Sequence, residues 1–274
     1  MKLKDLPRAF GFRREPREYP TRVSEIALAQ GPIRFAQWLH PGESPKTVTD
    51  GLIGALRTFL HPGDVAIDIG AHTGDTTVPM ALAVGPSGTV FALEPNPYVF
   101  KVLEENSRLN PALTRIVPLM FAAMPEDGEY EFEYSDEGYC NGGFHGSTSA
   151  WRHGHFTKLR VQGRNLLAYL RATAPEVLSR VTFVKIDTEG FDRQVFGTLV
   201  DLIRQARPYI RTEIYKHMPG PEREAYFHDL KALGYSLHKC EDDGYRGERL
   251  ERAGDLSRWR HFDMFAVPED RRDE

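Results

Sequence analysis

Residues 65–74 read Val65-Ala66-Ile67-Asp68-Ile69-Gly70-Ala71-His72-Thr73-Gly74. A short apolar run ends here in an acid and a glycine-flanked turn. Such a run, bounded by turn residues, suits a strand buried on both faces. The glycines serve where a strand must turn sharply into a helix and a ligand must approach the backbone closely. Helix-start N–H groups beyond Gly74 would face that ligand. The spacing is D-x-G-x-x-x-G, not the G-x-G-x-x-G of dinucleotide-binding turns. Asp68 at the strand end suits a ligand carrying positive charge rather than a pyrophosphate, which favours the sulfonium and amino group of S-adenosylmethionine (AdoMet).

Downstream, TVFALEP is a second apolar run ending at Glu94, twenty residues after Gly74. A carboxylate at that spacing can accept both ribose hydroxyls. Taken singly, Asp68 reads as a turn residue and Glu94 as a solvated strand end; together, inside a strand–helix–strand pattern, they favour a cofactor. The segment between them, GDTTVPMALAVG, reads as a helix if Pro79 falls in its first turn. PYVFKVLEENSRLN is an amphipathic helix carrying Val99, Val102, Leu103 and Leu109. TRIVPLMFAA, VTFVKID and PYIRTEIY follow as strands, with helices GFDRQVFGTLVDLIRQA and PEREAYFHDLKALG between and after the last two. GYSLHKCE and HFDMFAVP close the series. Alternation of this kind predicts a parallel sheet with crossover helices. EYEFEYS alternates acidic and aromatic residues, as an antiparallel or edge strand does. The loop DEGYCNGGFHGSTSAWRHGHF is long enough to be functional or disordered. Upstream, residues 1–30 read as an arm or short helical preamble, IRFAQWL as a strand, and Asp50 as the cap of a helix carrying Leu52, Ile53, Leu56 and Leu60.

The 274 residues allow one large domain or two small ones. No internal repeat or low-complexity linker divides them, so one α/β domain over residues 50–274 with an extension over 1–49 is the simpler reading. The extension could mediate a homodimer, cover one edge of the core or cover substrate. Hydrophobic residues make up 41% and charged residues 27%, which argues against wholesale disorder. A net charge of −4 has the wrong sign for a dedicated nucleic-acid coat. Cys140 and Cys240 have no zinc spacing around them and suit a reducing cytosol. No apolar stretch approaches the ~20 residues of a transmembrane span, so a cytoplasmic location is expected.

VAIDIGAHTGDTTV, VFALEPNP, Asn141-Gly142-Gly143, VKIDTEGFDRQVF and PYIRTEIY together resemble the FkbM-type methyltransferases, over about residues 50 to 268. The most specific piece is Lys185-Ile186-Asp187-Thr188-Glu189-Gly190. The resemblance implies a Rossmann-like class I methyltransferase fold: a mostly parallel seven-stranded sheet in the order 3-2-1-4-5-7-6, with strand 7 antiparallel and helices on both faces. It also implies AdoMet as cofactor and a hydroxyl of a sugar or glycosylated biosynthetic intermediate as acceptor. Cofactor contacts would then come from Asp68, Gly70, Ala71, His72, Thr73 and Gly74, from Glu94, Pro95 and Asn96, from Phe121 and Ala122 beside the adenine (or as ordinary core), and from Asp187. The chain departs from the family pattern at His72, where a small polar residue is common, and in the His- and aromatic-rich loop Tyr139–His155.

A hydroxyl is a poor nucleophile and needs a base or a metal to take its proton. Asp187, Glu189 and Glu213 are natural candidates, and strand parity would point the first two the same way. Three acids on one rim suit a hard divalent cation such as Mg2+, with Asp187 and Glu213 as its ligands. Alternatively, Asp187 bonds the cofactor's amino end, Glu189 caps the next helix, and Glu213 pairs with Lys185 or Lys216. His72 and His145 are the other candidate bases. Tyr139, Asn141, Phe144 and Trp151 suit a sugar ring, or a loop packed on its own aromatics. An N- or C-methyltransferase on another small metabolite, a nicotinamide-dependent oxidoreductase and a non-catalytic AdoMet-binding module remain the competing readings.

Overall fold

A computed structural model describes residues 18–134, 142–143, 157–241 and 244–271. The chain opens on a hairpin, β1 (Thr21–Ile26) and β2 (Ile33–Trp38), followed by α1 (Asp50–Leu56). Next come β3 (Val65–Ile69), α2 (Thr77–Val84), β4 (Thr89–Leu93), α3 (Pro97–Arg108) and β5 (Ile116–Leu119). The middle holds β6 (Ala122–Ala123), β7 (Gly128–Tyr134), β8 (Gly142–Gly143), β9 (Thr157–Arg164) and α4 (Leu166–Thr173). The last part is β10 (Val181–Ile186), α5 (Asp192–Thr198), α6 (Val200–Ala206), β11 (Tyr209–Ile214), α7 (Gly220–Ala232), β12 (Tyr235–Lys239), β13 (Arg249–Leu250) and β14 (Phe262–Pro268).

The main sheet runs β13-β12-β14-β11-β10-β3-β4-β5. Its β11-β10-β3-β4-β5 half is parallel, while β14 pairs antiparallel with both β11 and β12. The sheet therefore has eight strands, not seven, because the two-residue β13 adds to the β12 edge. A second sheet, β6-β9-β7-β8, stands apart. The alternation of EYEFEYS becomes β7, antiparallel to β9, with Phe132 and Tyr134 buried.

Both faces of the main sheet are covered, as expected of near-continuous apolar strands. Val65, Ile67 and Ile69 of β3 pack with Leu166, Leu170, Phe196, Leu202 and Tyr226 from α4, α5, α6 and α7. Ala66 faces the other way, towards Phe59, Leu60, Met80 and Val84. Pro79 lies at the third residue of α2, inside the first turn, where a proline is tolerated: only the bond to Asp75 O is lost between Val78 N–Gly74 O and Met80 N–Thr76 O.

Several local expectations change. Residues 21–26 form a strand rather than an arm or helical preamble. Thr49, not Asp50, caps α1: its side chain accepts from Leu52 N at 3.2 Å, while the Asp50 carboxylate accepts from Ala29 N. That helix stops at Leu56, and Leu60 is buried beyond its end. GFDRQVFGTLVDLIRQA divides into α5 and α6 at Leu199.

The hairpin is built into the domain by α3. The Asn106 side chain accepts from Ala36 N and donates to Ala36 O, and Asn110 does the same with Arg34. Four residues of helix rise about 6 Å and two residues of strand about 6.7 Å, so the two amides match alternate residues along the edge of β2. Trp38 packs with Val99 and Val102 beneath them.

Candidate functional site

The carboxyl ends of β3, β4 and β10 meet in one cleft of about 1100 Å³, open solvent at its mouth included. Gly70, His72, Glu94, Pro95, Asn96, Phe121, Ala122, Asp187 and Glu189 line it together. These nine were all singled out from the sequence. The position suits the general rule that open α/β sheets bind ligands beyond the carboxyl ends of their strands.

Gly70 is required by the closeness of two strands. Asp187 N donates to Ile69 O at 3.0 Å, and a Cβ on Gly70 would stand 1.9 Å from Asp187 O. Its φ of +80° excludes most side chains independently. His72 follows at φ 48° and Glu189 at φ 56°, so two non-glycine residues of the cleft hold left-handed backbone. The His72 ring meets Trp38 edge-on at 6.1 Å.

Glu94 is buried, and each oxygen accepts one backbone N–H: Oε2 from His72 at 3.0 Å and Oε1 from Asn96 at 2.9 Å. Burial raises its pKa, against the pull of His72. Each oxygen keeps acceptor capacity for a further hydroxyl. Asn96 also caps α3, accepting from Tyr98 N.

Asp68 departs from expectation. It is fully buried and does not line the cleft. Its Oδ2 accepts from Thr76 and Thr77 at 2.8 and 2.6 Å, and its Oδ1 receives Lys185 Nζ at 3.1 Å. Its carboxylate is thus matched by donors inside the protein. Lys185 also donates to Gly70 O at 3.1 Å and lies 3.3 Å from Asp187 Oδ2. Burial opposes the lysine's charge, but Asp68 and Asp187 outweigh it and raise its pKa. Three other turn residues face inward. Ala71 packs with Ala92 and Leu103, a Cβ on Gly74 would meet Leu103, and the Thr73 carbonyl accepts from Asn106.

Asp187 and Glu189 reach the cleft through a turn rather than through strand parity, since β10 ends at Ile186. Asp192 shapes that turn. Its carboxylate accepts from Thr188 Oγ1 and Gly190 N on one side and from Glu213 N on the other. Burial, followed by the charge on Asp187, pushes the Asp192 carboxyl up to about 7. Burial and Asp187 also raise Glu189. Gly190 lets the turn close on Tyr215, whose ring would lie 2.8 Å from a Cβ there.

Glu213 does not join this rim. It is buried outside the cleft, with Oε1 2.7 Å from His261 Nε2. Burial and the neighbouring Asp187, Asp192 and Glu189 push its carboxyl up to about 9. The expected three-acid metal site therefore does not form: among the described residues no group of three or more His, Cys, Asp or Glu could hold a metal ion. Tyr139, Asn141, Phe144, His145 and Trp151 lie outside the described residues.

The cleft also takes in residues that sequence reasoning missed. Glu43 and Lys46 come from the segment between β2 and α1, Asp75 and Thr76 from the turn after β3, and Phe132 and Tyr134 from β7. Lys185 had a legible signal, because a single lysine in VTFVKI must find an acid when the strand is buried. Glu43 and Lys46 had none, since they lie in a turn-rich stretch without periodicity.

The donor set fits AdoMet. Ile69, Leu93, Pro95, Phe121 and Phe191 offer an apolar wall, Glu94 stands ready for vicinal hydroxyls, and the acids Glu43, Asp75, Glu94, Asp187 and Glu189 outnumber Lys46 and Lys185. Such a cleft favours a cationic ligand over a polyanionic one.

Comparisons with known proteins find similar chains. The hexuronic acid methyltransferase AglP of Haloferax volcanii is 28% identical over 152 residues, which span 56% of this chain and 56% of that protein. The chain thus spans about half the length of its curated relative. Among solved structures, the methyltransferase FkbM of Methylobacillus flagellatus aligns with a TM-score of 0.45 at 12% identity, over 75% of this chain and 44% of that one. A SAM-dependent O-methyltransferase of Thermotoga maritima aligns with a TM-score of 0.41 at 17% identity, over 92% and 79%. The family model described as "Methyltransferase FkbM domain" matches residues 68–246, more than half of the chain and every strand end that builds the cleft. The chain belongs to the FkbM methyltransferase domain family.

Proposed function

We propose that the protein transfers a methyl group from AdoMet to a hydroxyl of a sugar or glycosylated biosynthetic intermediate. The observation that carries this reading is the convergence of Glu94, Asp187 and Glu189 on one acidic, apolar-walled cleft. Family membership supports the reaction, and the sugar acid named for the Haloferax relative supports the acceptor class.

Bound AdoMet supplies a methyl group already activated on a sulfonium. The protein's part is to position an acceptor hydroxyl in line and to take its proton. Glu189 is the group best placed for that proton. It lines the cleft, and its raised pKa makes its carboxylate a stronger base than a solvated one. As the new O–CH₃ bond forms and the S–CH₃ bond breaks, the hydroxyl proton passes to Glu189 and from there to solvent. Asp187, oriented by Lys185 at 3.3 Å, would balance the positive charge of the cofactor's sulfonium. Asp192 keeps both acids on their turn through Thr188 and Gly190.

Titration calorimetry with AdoMet and S-adenosylhomocysteine (AdoHcy), followed by incubation with a glycoside panel, tests this reading. Binding of both ligands and a mass gain of one methylene on a sugar hydroxyl are expected. Absence of AdoMet binding by the folded protein overturns it, as does AdoMet-independent oxidation of NAD(P)H.

A further inference from the structure

Two lysines line the cleft among the described residues, and they differ in what they have left to give. The three donors of Lys185 are matched by Asp68, Gly70 O and Asp187. Lys46 Nζ lies 3.3 Å from Glu43 Oε1 and 3.3 Å from Asp75 Oδ2, which leaves a third donor, and its side chain is 31% exposed. Burial opposes its charge, yet Asp75 and Glu43 raise its pKa, so it stays an ammonium at working pH.

The row Glu43–Lys46–Asp75 places both signs of charge side by side at the edge of the β3 turn. A zwitterionic amino-acid end needs that arrangement: a cation for its carboxylate and an acid for its ammonium. The path to it is also present. Glu94 is bonded to His72 N at 3.0 Å, and the turn runs on from His72 to Asp75. A ligand held at Glu94 by its ribose, with its adenine against Phe121 and Ala122, would extend along the turn to this row, which lines the same cleft.

We propose that Lys46 binds the α-carboxylate of AdoMet and that Asp75 receives its ammonium. The inference rests on the cofactor reading above. It assigns a cofactor ligand to the segment between β2 and α1, before the first strand of the main sheet and upstream of the family-matched residues 68–246.

The test is calorimetry on the full chain with AdoHcy and with 5′-methylthioadenosine, which keeps the adenosine but lacks the amino-acid end. Lys46→Met is expected to weaken AdoHcy about tenfold to a hundredfold, the worth of one charge-assisted hydrogen bond, and to leave methylthioadenosine unchanged. Lys46→Arg is expected to restore AdoHcy binding. AdoHcy affinity unchanged in Lys46→Met overturns the inference alone, and so does an equal loss of both ligands. A wild-type protein that binds neither ligand overturns the cofactor reading and this inference with it.

Discussion

Asp68 and Lys185 sit directly opposite each other in the register of β3 and β10, and both are buried. Each is a lone charge in an otherwise apolar strand, so each is tolerable only because of the other. Removing one partner of a buried pair leaves an uncompensated charge, worth about 3–5 kcal/mol. Lys185→Met is therefore expected to destabilise the protein by about that much in urea denaturation. A change below ~1 kcal/mol would mean that Asp68 takes up a proton or finds another partner. Glu189 gives a different signature. Glu189→Gln keeps the shape of the turn but removes the base, so kcat should fall by about 10²–10⁴ with AdoHcy affinity retained. Equal turnover in the variant would transfer the role to His72 or Asp187.

At the scale of elements, α3 has two uses for one surface. Its apolar stripe, Val99, Val102 and Leu103, was legible from 3.6-residue spacing and is buried as expected. The amides of Asn106 and Asn110 work on the hairpin, which periodicity alone cannot reveal. Each makes two hydrogen bonds to the β2 backbone, and Asn106 a third to Thr73 O in the turn after β3. Asn106→Ala leaves buried β2 backbone groups unmatched. It should cost about 1–3 kcal/mol in chemical denaturation, more than Asn110→Ala at the less enclosed end of the strand. The same contact ties the hairpin to the turn, so AdoHcy affinity should fall in parallel. Unchanged stability in Asn106→Ala would show that water replaces the amide.

For the whole molecule, burying so many acids near one rim makes stability depend on pH. Glu213, pushed up to about 9, and Asp192, pushed up to about 7, both bind protons more tightly in the folded than in the unfolded chain. Their stabilising contribution is complete below the ordinary carboxylate range, near pH 4, and is lost as pH rises through 7 and then 9. The Tm should therefore fall between pH 6 and pH 9, and Glu213→Gln, which cannot ionise, should flatten the fall. A pH dependence equally steep in that variant would place the titration elsewhere.

Fold class and much of the cleft's lining were readable from the chain alone for a local reason. A buried parallel strand is a contiguous apolar run, the turn after it needs glycine, and the acid at the end of the next strand follows at a short interval. Gly70, Glu94 and Asp187 report those constraints one position at a time. What lies between elements was not readable. Asp68 has the right position for a ligand contact, but Lys185 on the neighbouring strand had already claimed its charge. Glu213 has the right strand end, but its carboxylate turns to His261. Lys46 carries no local mark at all; its backbone N–H donates to Gln37 of β2, in the hairpin that two asparagines of α3 hold. The residue types at the sheet's rim are set by chain-local geometry; which of them remain available to a ligand is set by pairing across strands, and only the tertiary structure decides that.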